Sequence, residues 1–275
     1  MPTHSRLPSL FIPHGGGPCF FMAWEPADTW TAMARYLGHI ADTLPTRPRA
    51  ILVVSAHWEA PAFTVGSGTQ PDLIYDYFGF PPHTYELTYP ARGNPVLAER
   101  VRSLLDQAGF ETASDPVRGY DHGVFIPLKV TFPEADIPVV QLSLRADYSP
   151  RAHFDAGRAL APLRDEGVLI VGSGMSFHNM RGFREPSFRA AAHDMAEDFD
   201  AWLSGVIAEP DPDRRRDALM RWEQAPSARL AHPPRGEEHL LPLFVAAGAG
   251  GEDAGHRDFS ELVMNMRISG YRFGA

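Results

Sequence analysis

The run Ala50-Ile51-Leu52-Val53-Val54-Ser55-Ala56-His57-Trp58-Glu59 constrains the fold of this chain more than any other stretch. Its apolar start, β-branched at Ile51, Val53 and Val54, predicts a strand buried on both faces, as in a parallel sheet covered by helices. Arg47-Pro48 and Pro61 bound the run. His57 follows where the strand is expected to end, and in open α/β sheets ligands bind at the carboxyl ends of the strands. The arrangement recurs. Residues 7–13 lead to His14 ahead of Gly15-Gly16-Gly17, and residues 167–171 lead through Gly172-Ser173-Gly174 to His178. Three such strands lying parallel and adjacent would bring all three imidazoles to one crevice.

A chain of 275 residues suits one large α/β unit. The net charge of −9, with no basic cluster, argues against nucleic acid or an anionic membrane as a partner. No apolar run reaches membrane-spanning length, and the N-terminus lacks a basic-then-apolar signal pattern. The single cysteine, Cys19, excludes an intrachain disulfide, so a reducing, cytoplasmic setting is expected. Cys19 itself is read as a small buried residue rather than a ligand.

Along the chain, the glycines at 15–17 let backbone approach whatever His14 holds, without the spacing of a dinucleotide fingerprint or a P-loop. Residues 27–44 have a helical period at Trp30, Met33, Ala34, Leu37 and Ile40, completing a βαβ unit. Phe63-Thr64-Val65 reads as a short strand. Residues 69–92, rich in proline and in Tyr75, Tyr77, Phe78, Phe80, Tyr85 and Tyr89, form a long loop of the kind that is usually functional. It walls a pocket for a flat substrate or packs over the sheet edge, and the sequence leaves both open. A helix spans 94–109, with Asn94 as cap, Pro95 in the first turn and Gly109 as stop. His122 lies in a loop between Asp121 and Gly123. Residues 137–144 form a further strand and 150–165 a helix in which His153 is structural. Residues 189–207 are an amphipathic helix with Met195, Phe199, Trp202 and Leu203 on one face, and His193 there is non-functional. Residues 209–217 read as a solvated connection, 240–248 as a buried helix with Glu238 and His239 at its start, and 263–268 with 271–273 as a closing strand pair.

The candidate site set is therefore His14, His57, His122, His178, Glu238 and His239. Neutral imidazoles with a carboxylate suit zinc, iron, copper or nickel, and no thiolate set competes. Two histidines and a third ligand with open positions serve both non-haem Fe(II) oxygenases and hydrolytic zinc enzymes. If His14, His57 and one of Glu238 and His239 bind metal, His178 and His122 remain free beside it. One can act as acid/base and the other can hold a substrate oxyanion.

The segments Pro13-His14-Gly15-Gly16-Gly17-Pro18, Ser55-Ala56-His57-Trp58, Asp121-His122-Gly123, Ser173-Gly174 with His178-Asn179, and Glu238-His239-Leu240-Leu241-Pro242-Leu243 resemble the class III extradiol ring-cleavage dioxygenases, in the branch of the 4,5-DOPA dioxygenases. The resemblance runs over essentially the whole chain with the motifs in order. It implies one catalytic domain over residues 1–275, with a mixed central β-sheet flanked by helices and a metal site at the carboxyl ends of the strands. It matches His14, His57 and His239 to the metal ligands, with Glu238 as an alternative third ligand. His178 matches the catalytic acid/base, which can also contact zinc when zinc replaces iron, and His122 matches the histidine that meets the substrate hydroxyl. His232 has a weaker match, because the segment Pro233-Pro234-Arg235-Gly236 is expanded. The implied reaction inserts both atoms of O2 into a catechol such as L-DOPA, using non-haem Fe(II), and yields a muconic semialdehyde. The expected partners are a small catechol and O2, and the expected assembly is a monomer or small homo-oligomer. Arg118, Arg184 and Arg235 are each able to meet a substrate carboxylate. A zinc-dependent hydrolase, or a non-enzymatic metal-binding module on the same fold, competes with this reading.

Overall fold

The computed structural model describes residues 5–275. In chain order its elements are β1 (Ser9–Pro13), α1 (Thr31–Thr43), β2 (Ala50–Ala60), β3 (Phe63–Gly66), α2 (Pro95–Gln107), β4 (Thr112–Asp115), α3 (His122–Thr131) and β5 (Val139–Arg145). There follow α4 (Pro150–Leu160), β6 (Val168–Gly174), α5 (Met180–Arg184), α6 (Arg189–Ile207), α7 (Pro212–Leu219), α8 (Ala228–Ala231), α9 (Leu241–Gly250), β7 (Gly255–Val263) and β8 (Met266–Phe273). The strands form one mixed sheet in the order β4-β3-β5-β2-β6-β1-β8-β7. Its centre, β5-β2-β6-β1, is parallel, as the unbroken apolar runs require. The antiparallel hairpin β7–β8 joins through β8 to β1, and β3 crosses antiparallel to β5.

β6 lies between β2 and β1, so the three strands singled out by their histidines are neighbours running the same way. Helices cover both faces, and β6 shows how. A Cβ added to Gly172 would lie 2.3 Å from the carbonyl oxygen of Pro242 in α9, whereas the Ser173 hydroxyl donates to the carbonyl of Gly123 in α3. Successive strand residues point to opposite faces, so α9 and α3 sandwich the sheet at this point. α9 is buried along its whole length, with α4 packed against it.

Arg164 ties the far end of the molecule together. It is buried and donates to the carbonyl oxygens of Leu7, Ala249, Gly250 and Phe273 and to the Asp253 carboxylate. Those carbonyls belong to the chain leading into β1, the last turn of α9 and the end of β8, so one guanidinium satisfies backbone acceptors that would otherwise be orphaned.

Several boundaries differ from the sequence reading. His57 stands inside β2, which continues to Ala60, rather than past its end. His122 is not in a loop: it is the first residue of α3, and its neighbour Asp121 bonds Ser55, Gln141 and Arg118 instead of the imidazole. Residues 27–30 stay outside α1. The stretch 209–217 contains helix α7, capped by the Asp211 side chain, which accepts from the amides of Asp213 and Arg214. Its Arg215 is buried because it bonds the carbonyls of Glu209 and Gly251. The closing pair is also shifted. Met264 and Asn265 have φ of 49° and 73°, a left-handed pair that makes the tight turn of a hairpin inside the segment read as one strand. The helix read over 150–165 ends at Leu160 and continues as a tighter turn over Ala161–Arg164. Asn94 caps α2 as expected, accepting from the Leu97 amide at 3.0 Å.

Candidate metal centre

β1 delivers His14 at its end, β2 carries His57 in its last turns of pleat, and the chain entering α9 brings His239 across the end of β6. One nitrogen from each of the three lies within 4.8 Å of the others. The backbone around them is shaped for this approach. Gly15 has φ of +79°, and a Cβ there would sit 2.3 Å from the Cys19 sulfur. Gly174 leaves room for the carbonyl of His239, which would lie 2.1 Å from an added Cβ. Cys19 is a buried packing residue, and burial holds its thiol protonated.

The outer nitrogen of each imidazole is accounted for. His14 Nδ1 lies 3.1 Å from Ser173 Oγ, whose own proton goes to the Gly123 carbonyl, so Nδ1–H donates and Nε2 is bare. His239 Nδ1–H donates to Glu238 Oε1 at 2.9 Å. His57 Nδ1 faces Asp76 Oδ2 at 3.6 Å. Nε2 of His57 and Nε2 of His14 then stand 3.1 Å apart. Burial first, and the neighbouring imidazoles second, push His14 and His239 well below the ordinary histidine range, and burial pushes His57 down to about 3. That spacing suits a hydrogen bond from a His57 Nε2–H to the bare His14 Nε2, and equally the ligation of one ion by both nitrogens. Nitrogens about 2.1 Å from one ion lie roughly 3.0–3.4 Å apart, so the spacing fits a first-row metal. The donor set, three imidazoles of which His14 and His239 are held through Nδ1 by an outer oxygen, is that of a transition-metal site.

Glu238 does not present its carboxylate to this focus. Its Oε1 is shared between His239 Nδ1 and His178 Nδ1, the latter at 3.2 Å. Desolvation raises the Glu238 carboxyl, but the hydrogen bond and charge of His178 outweigh it and keep the group ionised. His178, half-buried, stacks on His239 with ring centroids 3.3 Å apart. The His122 ring lies 3.9 Å from that of His57 and 5.4 Å from that of His14. The five histidines singled out by sequence are thus gathered in one cluster, three converging and two flanking.

His232 is elsewhere. It is buried, its Nε2–H donates to the Ser176 carbonyl, and burial pushes it down to about 4, so it supports the loop that carries His178. His153 bonds the Ser149 carbonyl and the Arg145 amide, and His193 bonds the Asn265 carbonyl.

A cavity of about 570 Å³ opens over the cluster, lined by His57, His178, His239, Glu59, Tyr148 and Arg235 among others. Of the three arginines, Arg118 is engaged by the His57 carbonyl and Asp121 and lies over Trp58, Arg184 is exposed on α5, and Arg235 stands at the cavity mouth. The aromatic loop packs on itself and on α3. Tyr75 donates to Leu87 O and Tyr77 to Thr84 O, with their rings against Phe125. Tyr148 and Asp76 escaped the sequence reading. Tyr148 sits in the loop after β5, where strand-end logic points, but Asp76 lies between two tyrosines in a loop with no periodicity to mark it.

Comparison with known proteins agrees with the geometry. Residues 10–271 match the family described as the catalytic LigB subunit of aromatic ring-opening dioxygenase. The chain is 39% identical to "Dioxygenase tasH" of Hapsidospora irregularis, over 97% of this chain and 85% of that one. It is 41% identical to the "4,5-DOPA dioxygenase extradiol" of Portulaca grandiflora, over 89% of this chain and 86% of that one. A crystal structure of an uncharacterized protein from Escherichia coli K12 superposes with a TM-score of 0.77 at 29% identity, covering 98% of this chain and all of that one. The chain belongs to the LigB family of aromatic ring-opening dioxygenases, the class III extradiol enzymes.

Proposed function

We propose that this enzyme opens the ring of a catechol such as L-DOPA, with O2 as co-substrate and non-haem Fe(II) held by His14, His57 and His239. The observation that carries the reading is the convergence of three imidazoles, with Nε2 of His14 and Nε2 of His57 3.1 Å apart, beneath an open cavity and with two further imidazoles beside them. Fe(II), when bound, supplies a place where catechol and O2 meet and a path for electron density between them.

The chain's own residues do the rest. His178 is held through Nδ1 by the ionised Glu238, so its Nε2 is the nitrogen free to take a hydroxyl proton and return it to the product. His122 meets the substrate hydroxyl from the other side. Arg235 at the mouth pairs with a substrate carboxylate, and the Tyr148 ring lies beside it. The 4,5-DOPA relatives point to an amino-acid catechol as substrate.

Metal exchange tests this reading. Protein loaded anaerobically with Fe(II) is expected to consume O2 when L-DOPA, caffeate or protocatechuate is added, and zinc-loaded protein is expected to be silent. Oxygen-independent hydrolysis by the zinc form, with an inert iron form, would favour a hydrolase instead.

A further inference from the structure

Among the acidic residues of the long aromatic loop, Asp72, Asp76 and Glu86, the placement of Asp76 gives the loop a purpose. Asp76 Oδ1 accepts twice from His122: from its backbone amide at 2.9 Å and from Nδ1 at 2.8 Å. Oδ2 of the same group faces His57 Nδ1 at 3.6 Å. One carboxylate therefore touches both a converging imidazole and a flanking one. Glu238 makes the same bridge on the opposite side, between His239 and His178.

Asp76 belongs to no helix or strand, so its position depends on its neighbours. Tyr75 and Tyr77, on either side, are pinned by their hydroxyls to Leu87 O at 2.7 Å and Thr84 O at 2.6 Å. Their rings pack on Phe125, three residues beyond His122 on α3. The Tyr77 ring also lies 5.9 Å from the His122 ring. The loop and the helix bearing His122 are thereby fixed to one another, with the carboxylate between them.

We propose that Asp76 is a positioning residue that holds His122 in its Nδ1–H tautomer, leaving Nε2 as the bare acceptor, and that the aromatic loop is the mount for this carboxylate. The consequence for the reaction rests on the function proposed above. A carboxylate accepts and cannot donate, so the neutral imidazole keeps its proton at Nδ1 and cannot turn Nε2–H toward the substrate. A catechol hydroxyl then meets a lone pair rather than a competing donor. Without the carboxylate the ring is free to flip or to change tautomer, and so to present the wrong atom to the substrate.

The test reads the tautomer directly, apart from turnover. In full-length, zinc-loaded protein labelled with 15N-histidine, long-range 1H–15N correlations at mildly alkaline pH report which ring nitrogen carries the proton, with H122N to assign the signal. The expected result is a protonated Nδ1 and a bare Nε2 for His122, and a shift toward the Nε2–H form in D76A, which leaves no acceptor at that position. In the iron form, D76A is expected to lower kcat for ring opening by roughly 10–100-fold with KM little changed, the usual worth of an outer partner. The same substitution in the H122N background should cost nothing further. A proton on Nε2 in the parent protein, an unchanged signature in D76A, or an equal loss in the H122N background would each overturn the proposal. Absence of O2 uptake with every catechol would instead overturn the function, and the spectra of the parent protein would still decide the role of Asp76.

Discussion

His178 and His239 lie ring on ring, yet their chemistry separates them. His239 turns a bare nitrogen to the convergence point, and His178 shares the Glu238 carboxylate from outside. His239→Ala should therefore abolish stoichiometric metal binding, read by metal analysis after gel filtration. His178→Ala should keep the metal and lower turnover by roughly 10²–10⁴-fold, the range for a positioned acid/base. Loss of metal in proportion to activity in the His178 variant would contradict the division of roles. Ser173 acts one step further out: Ser173→Ala frees the His14 ring and is expected to weaken metal affinity by roughly 10–100-fold, measured by chelator competition. At this scale the sequence was informative where a residue type is rare and its place marked. His14, His122 and His239 each stand beside a glycine or a carboxylate, and His57 and His178 follow apolar strand runs. Asp76 carried no such mark, because its role depends on a loop folding back on α3, a contact between residues 46 apart.

The elements bring those residues together through close approach. β6 can pass beneath the chain entering α9 only because Gly172 and Gly174 lack side chains. Gly174→Ala would force the His239 carbonyl away from a Cβ placed 2.1 Å from it, and the imidazole with it. The expected outcome is a loss of stability of roughly 1–3 kcal/mol, the cost of overpacking, together with weakened metal binding. Urea unfolding and metal titration on the same sample check both. A variant that stays stable while losing metal would place the effect on His239 alone. Asp211→Ala should cost about 1 kcal/mol through loss of the α7 cap, with metal binding unchanged. The buried parallel strands were legible from their unbroken apolar runs and α2 from its cap and stop. α7 and the β7–β8 turn were not. A short charged helix shows no apolar period when one of its two buried residues is an arginine, Arg215 beside Leu219, and Met264-Asn265 sits inside an otherwise strand-like run.

Over the whole molecule, buried neutral histidines link stability to pH. Burial pushes His153 and His232 down to about 4. Between that value and the unfolded one of about 6.5, the unfolded chain binds more protons than the folded chain, so stability is fully present above the unfolded pKa and drains as pH falls through this window. Each group should remove about 2 kcal/mol between about pH 7 and about pH 5. Urea unfolding of the metal-free protein at the two pH values checks the slope, and His153→Leu should flatten it. The overall architecture was legible because three like strands, each with a histidine, implied parallel neighbours, while the order of the outer strands depended on pairings distant in sequence. What this arrangement does is read from the stoichiometry of oxygen. Protein reconstituted with Fe(II) without air is given a known amount of L-DOPA in oxygenated buffer, and O2 uptake is followed with product absorbance. One O2 consumed per catechol, with a yellow ring-opened semialdehyde, is the predicted result. Iron-loaded protein that consumes no O2 with L-DOPA, caffeate or protocatechuate would contradict the account.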